Sequence, residues 1–400
     1  MKIAIIGNGT SAIITALISL QNGHQVEIFF DPNQSPINVG ESTTVRIGKI
    51  ISDSLGICIG SLYDNGIVSY KNGIKFIGWG DSKFFRHHFY TNESAFHFQS
   101  ISFNRWIQIQ LENFGVIYHP KKITQYALNT DKDCVIIDNK FYDFVINCGG
   151  WSNEVDYFNT NFETVNSSVL YKKDEIDDPT YTIHRATEDG WEFGLPFPAE
   201  NITKHGYLFN NKFIDPKEVQ KKLGKEDSRV IQWKPRYSKR LLTSKYEASN
   251  GNRLMFFEPL QALSLHYYAE FADNINLFLK ERTFHNFNQQ NFFYRKKIFE
   301  YEHSLAFHYS YGSKFKSNFW KDVQERSNKL LNTNNLMQKE FWNELSISDS
   351  FRIGIFTTPD FEQIHSGMTG ISMNEVYGGC LLYTSPSPRD MRRSRMPSSA

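Results

Sequence analysis

The sequence predicts an α/β protein: a Rossmann-like, parallel-sheet domain joined to a more helical, aromatic-rich region. Three observations predict it. Residues 2–30 run strand, glycine turn, helix, strand at the length of one βαβ unit. A later apolar run that ends in Gly149-Gly150 reads as another strand of the same sheet. The aromatic content, 34 Phe, 20 Tyr and 7 Trp, points to aromatic-lined surfaces rather than to an ordinary core alone.

Lys2 to Ile6 is a short β-branched run, followed directly by Gly7-Asn8-Gly9-Thr10-Ser11-Ala12. Gly7 permits a tight turn, and Gly9 lets backbone N–H groups approach a pyrophosphate. Ala12 allows the following helix, expected to end near Asn22-Gly23, to pack closely on the strand. The spacing therefore predicts a dinucleotide site, with Thr10 and Ser11 in the binding turn. Gln25 to Phe30 is the second strand. The acidic residue expected just after it for a ribose hydroxyl is Asp31, one position late, because Glu27 falls inside the strand.

Gly40-Glu41-Ser42-Thr43 is a small polar loop that presents hydroxyls and N–H groups, or equally a turn into a helix beginning near Thr44. FHFQSISFNRWIQIQLENFGV reads as an amphipathic helix with Phe103, Trp106, Ile107 and Leu111 inward. Lys140 to Gly150 reads as one strand. In GWEFGLPF, residues 190–197, Trp191 and Phe193 share one face of an extended segment and Leu195 continues it. Pro196 is expected to end regular hydrogen bonding there. Taken alone, these eight residues read as a buried strand beside a turn.

A net charge of +1 and the lack of a clustered basic stripe argue against nucleic acid or an anionic membrane as partner. Cys58, Cys134, Cys148 and Cys380 form no short metal spacing and no C-x-x-C, as expected of reduced thiols in a cytoplasmic protein. His87, His88 and His97 have no Cys or carboxylate at ligand spacing, so no metal is expected. The stretch from Cys380 to Ala400 has no apolar period and reads as a non-native tail.

Six stretches, in order, resemble the flavin-dependent halogenases, the tryptophan-halogenase-like branch of the flavin monooxygenase fold. They are GNGTSA, VGEST at 39–43, SYKNGIKFIGW with Lys71, GWEFGLP at 190–196, FFEPLQALSL at 256–265 and AFHYSYGSKFKSNFW at 306–320. The resemblance implies FAD, used as FADH2 from a separate flavin reductase, with chloride or bromide as co-substrate. A discontinuous FAD domain is expected over 1–150 and 225–280, with a substrate region over 151–224 and 281–379. The substrate implied is an indole, pyrrole or phenol, and a homodimer is left open.

The resemblance also implies roles. The aromatic motif, Trp-x-Trp-x-Ile-Pro in the family, stands between flavin and substrate; here it is Trp191, Phe193, Leu195 and Pro196. Lys71 receives hypohalous acid, HOX, and delivers halogen, and Lys75 lies outside the matching position. The family's Glu-Pro-Leu-Glu-Ser-Thr-Gly is changed to EPLQALS. Gln261 stands where the second Glu assists the lysine, and Leu263 and Ser264 offer the backbone N–H groups that hold halide. A Gly-Asp pair on the flavin ribityl chain becomes Gly251-Asn252. His308-Tyr309 and Phe319-Trp320 read mainly as packing. An aromatic hydroxylase of the same fold, or a degenerate FAD-binding protein without catalysis, are the alternative readings.

Overall fold

The computed structural model describes residues 1–34, 40–89, 95–129, 131–153, 155–160, 162–332, 352–353 and 356–370. The tail beyond Cys380 lies outside the described residues. Two large sheets organise the chain. The first has six strands in the order β20 (Leu242–Ser244), β21 (Glu247–Ser249), β12 (Phe144–Asn147), β1 (Lys2–Ile6), β2 (Gln25–Phe29) and β8 (Ile117–His119). Every pairing except β20–β21 is parallel. Such a sheet is covered on both faces, which is why β1, β2 and β12 are apolar runs rather than alternating ones. Helix α1 (Thr10–Gln21) packs on it and against α6 (Leu263–Lys280), so residues near 250 return to the first thirty.

The second sheet has seven strands: β18 (Arg229–Gln232), β14 (Ser167–Lys173), β17 (Ile202–Phe209), β16 (Gly190–Phe197), β15 (Tyr181–Thr187), β5 (Gly73–Ile77) and β6 (Phe84–His88). Its membership crosses the boundaries drawn from sequence: β5 and β6 come from within 1–150, and β18 from within 225–280. A three-stranded sheet, β3 (Gly40–Ser42), β7 (Ala95–Gln99) and β4 (Val68–Lys71), packs against β15 and β16. Smaller sheets join β9 (Ala127–Asn129) with β10 (Cys134–Ile137) and β11 (Lys140–Tyr142), β13 (Tyr157–Asn159) with β19 (Arg236–Ser238) and β22 (Met255–Phe256), and β23 (Arg352–Ile353) with β24 (Phe356–Thr357).

The remaining helices are α2 (Val45–Leu55), α3 (Ile59–Asp64), α4 (Ser100–Asn113), α5 (Pro216–Leu223), α7 (Phe284–Ser310) and α8 (Asn318–Asn332). A last helix, Thr358–Thr369, follows β24. No helix among the described residues is long and apolar enough to cross a membrane.

Three sequence expectations are corrected. The amphipathic segment begins as strand, since residues 95–99 form β7, and the helix starts only at Ser100. Phe103, Ile107 and Leu111 are buried as expected, with Trp106 half-buried. The segment from Lys140 to Gly150 is two strands: the chain breaks at Asp143, whose Oδ2 accepts from the backbone N–H of Lys2 at 2.6 Å. Finally, β16 runs through Pro196 to Phe197. Pairing with β15 stops at Gly194, while pairing with β17 continues through Pro196 to Phe197, so the proline lies where the strand is paired on one side only.

Candidate active site

The dinucleotide turn opens on a cleft of about 1220 Å³ whose walls include Gly7, Asn8, Asp31, Gly149, Trp151 and Arg253. A Cβ on Gly7, at φ +113°, would lie 2.8 Å from the carbonyl O of Cys148. At Gly9 nothing stands within 4 Å of that position, so the turn is tight behind and open in front. Helix α1 begins from Gly9 with no side-chain cap, which leaves its first N–H groups available to an anion. These residues fit FAD. Asp31 does reach the cleft, although Lys122 Nζ lies 3.2 Å from its Oδ2, and Glu27 is buried in β2 against His119 and Tyr142.

The other expected flavin residues are brought to the same end of α1. Gly251, at φ +66°, must be glycine, because a Cβ would lie 2.2 Å from Ser11 Oγ. Beside it, Asn252 Oδ1 accepts from the Tyr268 hydroxyl at 2.6 Å. Ala12 is fully buried in the packing that the spacing predicted. Residues 40–42 are neither loop nor simple turn: they form β3, with Gly40 opposite Gln99, and Thr44 starts α2. Glu41 is turned inward, where Oε1 accepts from Thr10 Oγ1 at 3.1 Å and Ser100 Oγ at 2.6 Å. Burial raises its pKa.

Strand β7 pairs with both β3 and β4, and this brings residues 40–43 to Lys71. Lys71 Nζ donates to the carbonyl O of Thr43 at 2.9 Å and to Ser42 Oγ at 3.3 Å. The side chain is 1% exposed and forms no ion pair among the described residues. Burial alone pulls its pKa from 10.5 to about 7. Lys75, by contrast, is paired with Asp177 at 3.5 Å. Gly73 makes the passage from β4 to β5 feasible, since a Cβ there would stand 2.2 Å from the carbonyl O of His87.

The aromatic strand lies against this lysine strand. Ser69 Oγ donates to the carbonyl O of Pro196 at 2.7 Å, two residues before Lys71. Trp191 is fully buried, its ring 4.7 Å from His184 and 6.2 Å from Trp79, and Phe193 follows at 6.5 Å. Leu195 is 4% exposed. These side chains therefore lie on a central strand between β15 and β17, which is stiffer than a turn.

Gln261 is buried at φ +61° in the 3₁₀ turn that precedes α6. Its amide reaches His308 and His87, and His87 in turn reaches Asp360. At the expected halide position, Leu263 N–H donates to the carbonyl O of Leu260, and Ser264 lies in the first turn of α6, whose N-cap Ala262 makes no side-chain cap bond. Sequence reasoning took His308 for packing and missed Asp360 and His184, because no local spacing marks them. Glu258 is also buried, its pKa raised by burial to about 7, with Tyr309 donating to it at 3.1 Å.

A glycine-turn cleft at the head of α1, a mostly parallel sheet beneath it and a buried lysine beside an aromatic strand are the features of an FAD-binding α/β enzyme. The family profile named tryptophan halogenase matches residues 2–120 and 87–375, and the chain belongs to that family. It is a flavin-dependent halogenase, a class that takes reduced FAD from a separate reductase and halogenates aromatic compounds. Solved structures share the fold. A tryptophan halogenase from Shewanella frigidimarina superposes with a TM-score of 0.80 at 16% identity, over 98% of this chain and 92% of that one. The tryptophan 6-halogenase SttH from Streptomyces toxytricini gives 0.78 at 16%, over 93% and 91%. BrvH, a flavin-dependent halogenase from Brevundimonas sp. BAL3, gives 0.77 at 15%, over 93% and 90%. No curated protein sequence matches the chain.

Proposed function

We propose that this halogenase transfers halogen from HOX, through the Lys71 amine, to an electron-rich carbon of an indole, pyrrole or phenol. The carrying observation is Lys71 itself: fully buried, without a carboxylate, and drawn by burial to about 7, so that much of it is amine at neutral pH. Reduced FAD with O2 and halide supplies the HOX. Gly7, Gly9, Thr10, Ser11 and Ala12 hold the dinucleotide at α1, with Asp31 toward the ribose, and residues 40–43 and 251–252 line its further reach. Ser264 N–H offers a halide contact. Trp191, Phe193, Leu195 and Pro196 keep the aromatic substrate from the flavin, so that only the small oxidant passes. The Lys71 amine nitrogen takes the halogen as the O–X bond breaks, and the hydroxide released takes a proton from that nitrogen and leaves as water. A cytoplasmic setting suits the reductase on which the reaction draws.

The test is mass spectrometry on the FAD-loaded protein with a flavin reductase, NADH, O2 and bromide, over a panel of indoles and phenols. A bromine isotope doublet that disappears in Lys71→Ala is expected. Hydroxylated product would move the reading to a monooxygenase, and flavin binding without turnover across the panel to a non-catalytic flavoprotein.

A further inference from the structure

The cleft at the head of α1 contains one cation that the protein itself leaves unsatisfied. Four basic side chains line it, Lys122, Lys239, Arg240 and Arg253, against the acids Asp31, Asp156 and Glu247. Two couples close on themselves: Lys122 Nζ lies 3.2 Å from Asp31 Oδ2, and Lys239 pairs with Asp156. Glu247 is engaged by the Tyr126 hydroxyl. Arg240 is exposed, so water and salt screen its charge. Arg253 is half-buried, and its guanidinium makes no ion pair and no hydrogen bond among the described residues. Its Nε is buried without a partner.

An arginine cannot shed its proton to escape this position, so the positive charge is permanent. A buried N–H of a charged group is costly to leave without an acceptor, and such atoms mark places where a ligand completes the set. The backbone fixes where this charge stands. The 3₁₀ turn Gly251–Arg253 lies on the first turn of α1, where a Cβ on Gly251 would meet Ser11 Oγ at 2.2 Å. The carbonyl O of Arg253 accepts from the Tyr157 hydroxyl at 2.8 Å. Burial pushes the Cys148 thiol up to about 12 while the charge of Arg253 pulls against it, and the carbonyl O of Cys148 is the atom that backs Gly7. Asn252, next in the chain, is neutral, and its Oδ1 is taken by Tyr268. Arg253 therefore stands beside the glycine turn, and no carboxylate of its own turn competes for it.

Oxidised FAD brings one charged part to this cleft, the pyrophosphate. Its two negative charges and its oxygens can take both the uncapped N–H groups at the start of α1 and a guanidinium beside them. The ring system, the ribityl chain and the adenosine are uncharged and give Arg253 no counter-charge.

We propose that Arg253 binds the FAD pyrophosphate, its guanidinium forming the second half of an anion site whose first half is the head of α1. This rests on FAD as the occupant of the cleft and not on the halogenation chemistry. Arginine suits the task, because its planar fork donates two parallel hydrogen bonds to a phosphate where a lysine offers a point charge. The pyrophosphate does not change when the flavin is reduced. Arg253 therefore holds oxidised and reduced FAD alike, and its loss weakens both without favouring either.

The test titrates FAD into the flavin-free full chain, read by flavin fluorescence, for wild type, Arg253→Met and Arg253→Lys at low and high NaCl. Arg253→Met should raise Kd by about 10–100-fold at low salt, as the loss of charge-assisted hydrogen bonds does. Arg253→Lys should recover part of that loss, and high salt should weaken the wild type more than the Met variant. At saturating FAD, the ³¹P signals of the bound cofactor should move in Arg253→Met while the flavin reduction potential keeps its wild-type value. Equal affinity in all three proteins would overturn the proposal and leave FAD in the cleft. A loss that is the same in Met and Lys and indifferent to salt would overturn it too, since the arginine would then only shape the cleft. A shifted potential with unmoved ³¹P signals would place the guanidinium against the flavin ring instead. A folded wild type that binds no FAD would sink the FAD reading together with the proposal.

Discussion

Replacing Lys71 by Met should stabilise the protein, and by an amount that depends on pH in a way only this lysine explains. Burial brings its pKa from 10.5 to about 7 in the folded state, which is worth about 5 kcal/mol of penalty on the charged form. Below pH 7 the lysine is protonated folded and unfolded, so the whole penalty is carried. Between pH 7 and 10.5 the unfolded chain binds the proton and the folded one does not, so wild-type stability rises with pH. At pH 9 about 2 kcal/mol of the penalty is left. Met also forfeits the bonds to Thr43 O and Ser42 Oγ, a loss of about 1–3 kcal/mol that does not vary with pH. The advantage of Lys71→Met over wild type should therefore be about 3 kcal/mol larger at pH 6 than at pH 9. Urea unfolding of both proteins at the two pH values measures it. An advantage equal at both would mean that the ammonium is solvated in the folded protein, and the case for a desolvated amine would fail.

If the amine is the form that takes halogen, the bromination rate should climb as pH rises through about 7, when Lys71 loses its proton; a flat or falling limb in a pH–rate series would contradict it. Gly206→Ala places a methyl 2.3 Å from the Phe193 ring and should cost about 1–3 kcal/mol in thermal or chemical unfolding. That cost should vanish when Phe193→Ala is made as well, and additive effects would show that the two do not press together. Gly7→Ala, blocked by the Cys148 carbonyl and by its left-handed φ, should lose FAD on gel filtration while retaining folded circular dichroism. Retention of flavin would remove the turn from the binding site.

What was legible in the sequence was local. Gly7 and Gly9 act within a few residues of backbone, and so β1, α1 and β2 could be read in order. The apolar alternation of Trp191, Phe193 and Leu195 likewise needs no partner to be seen. Lys71 was legible as a position by resemblance, yet its burial was not, because it depends on β7 joining β3 and β4 across unrelated stretches. The misread start of α4 has the same cause: residues 95–99 carry helical spacing but are claimed by two strands. Asp143 divided a strand through a bond to Lys2, 141 residues away. Gln261 in a left-handed conformation, and the histidines it joins, follow from tertiary packing that no spacing encodes.

The bond between His87 and Asp360 has a consequence for how the protein is made. The two residues are separated by 273 positions, so at a translation speed of about 5–20 residues per second the histidine waits roughly 14–55 s for its carboxylate. Once β18 has been made, β6 is an edge strand of the completed seven-stranded sheet until that carboxylate arrives, the kind of edge on which nascent chains pair wrongly. The helix Thr358–Thr369 later lays Gln363 along the backbone of His88 and so covers that edge. The arrival of this one helix thus both covers the exposed strand and gives His87 its carboxylate.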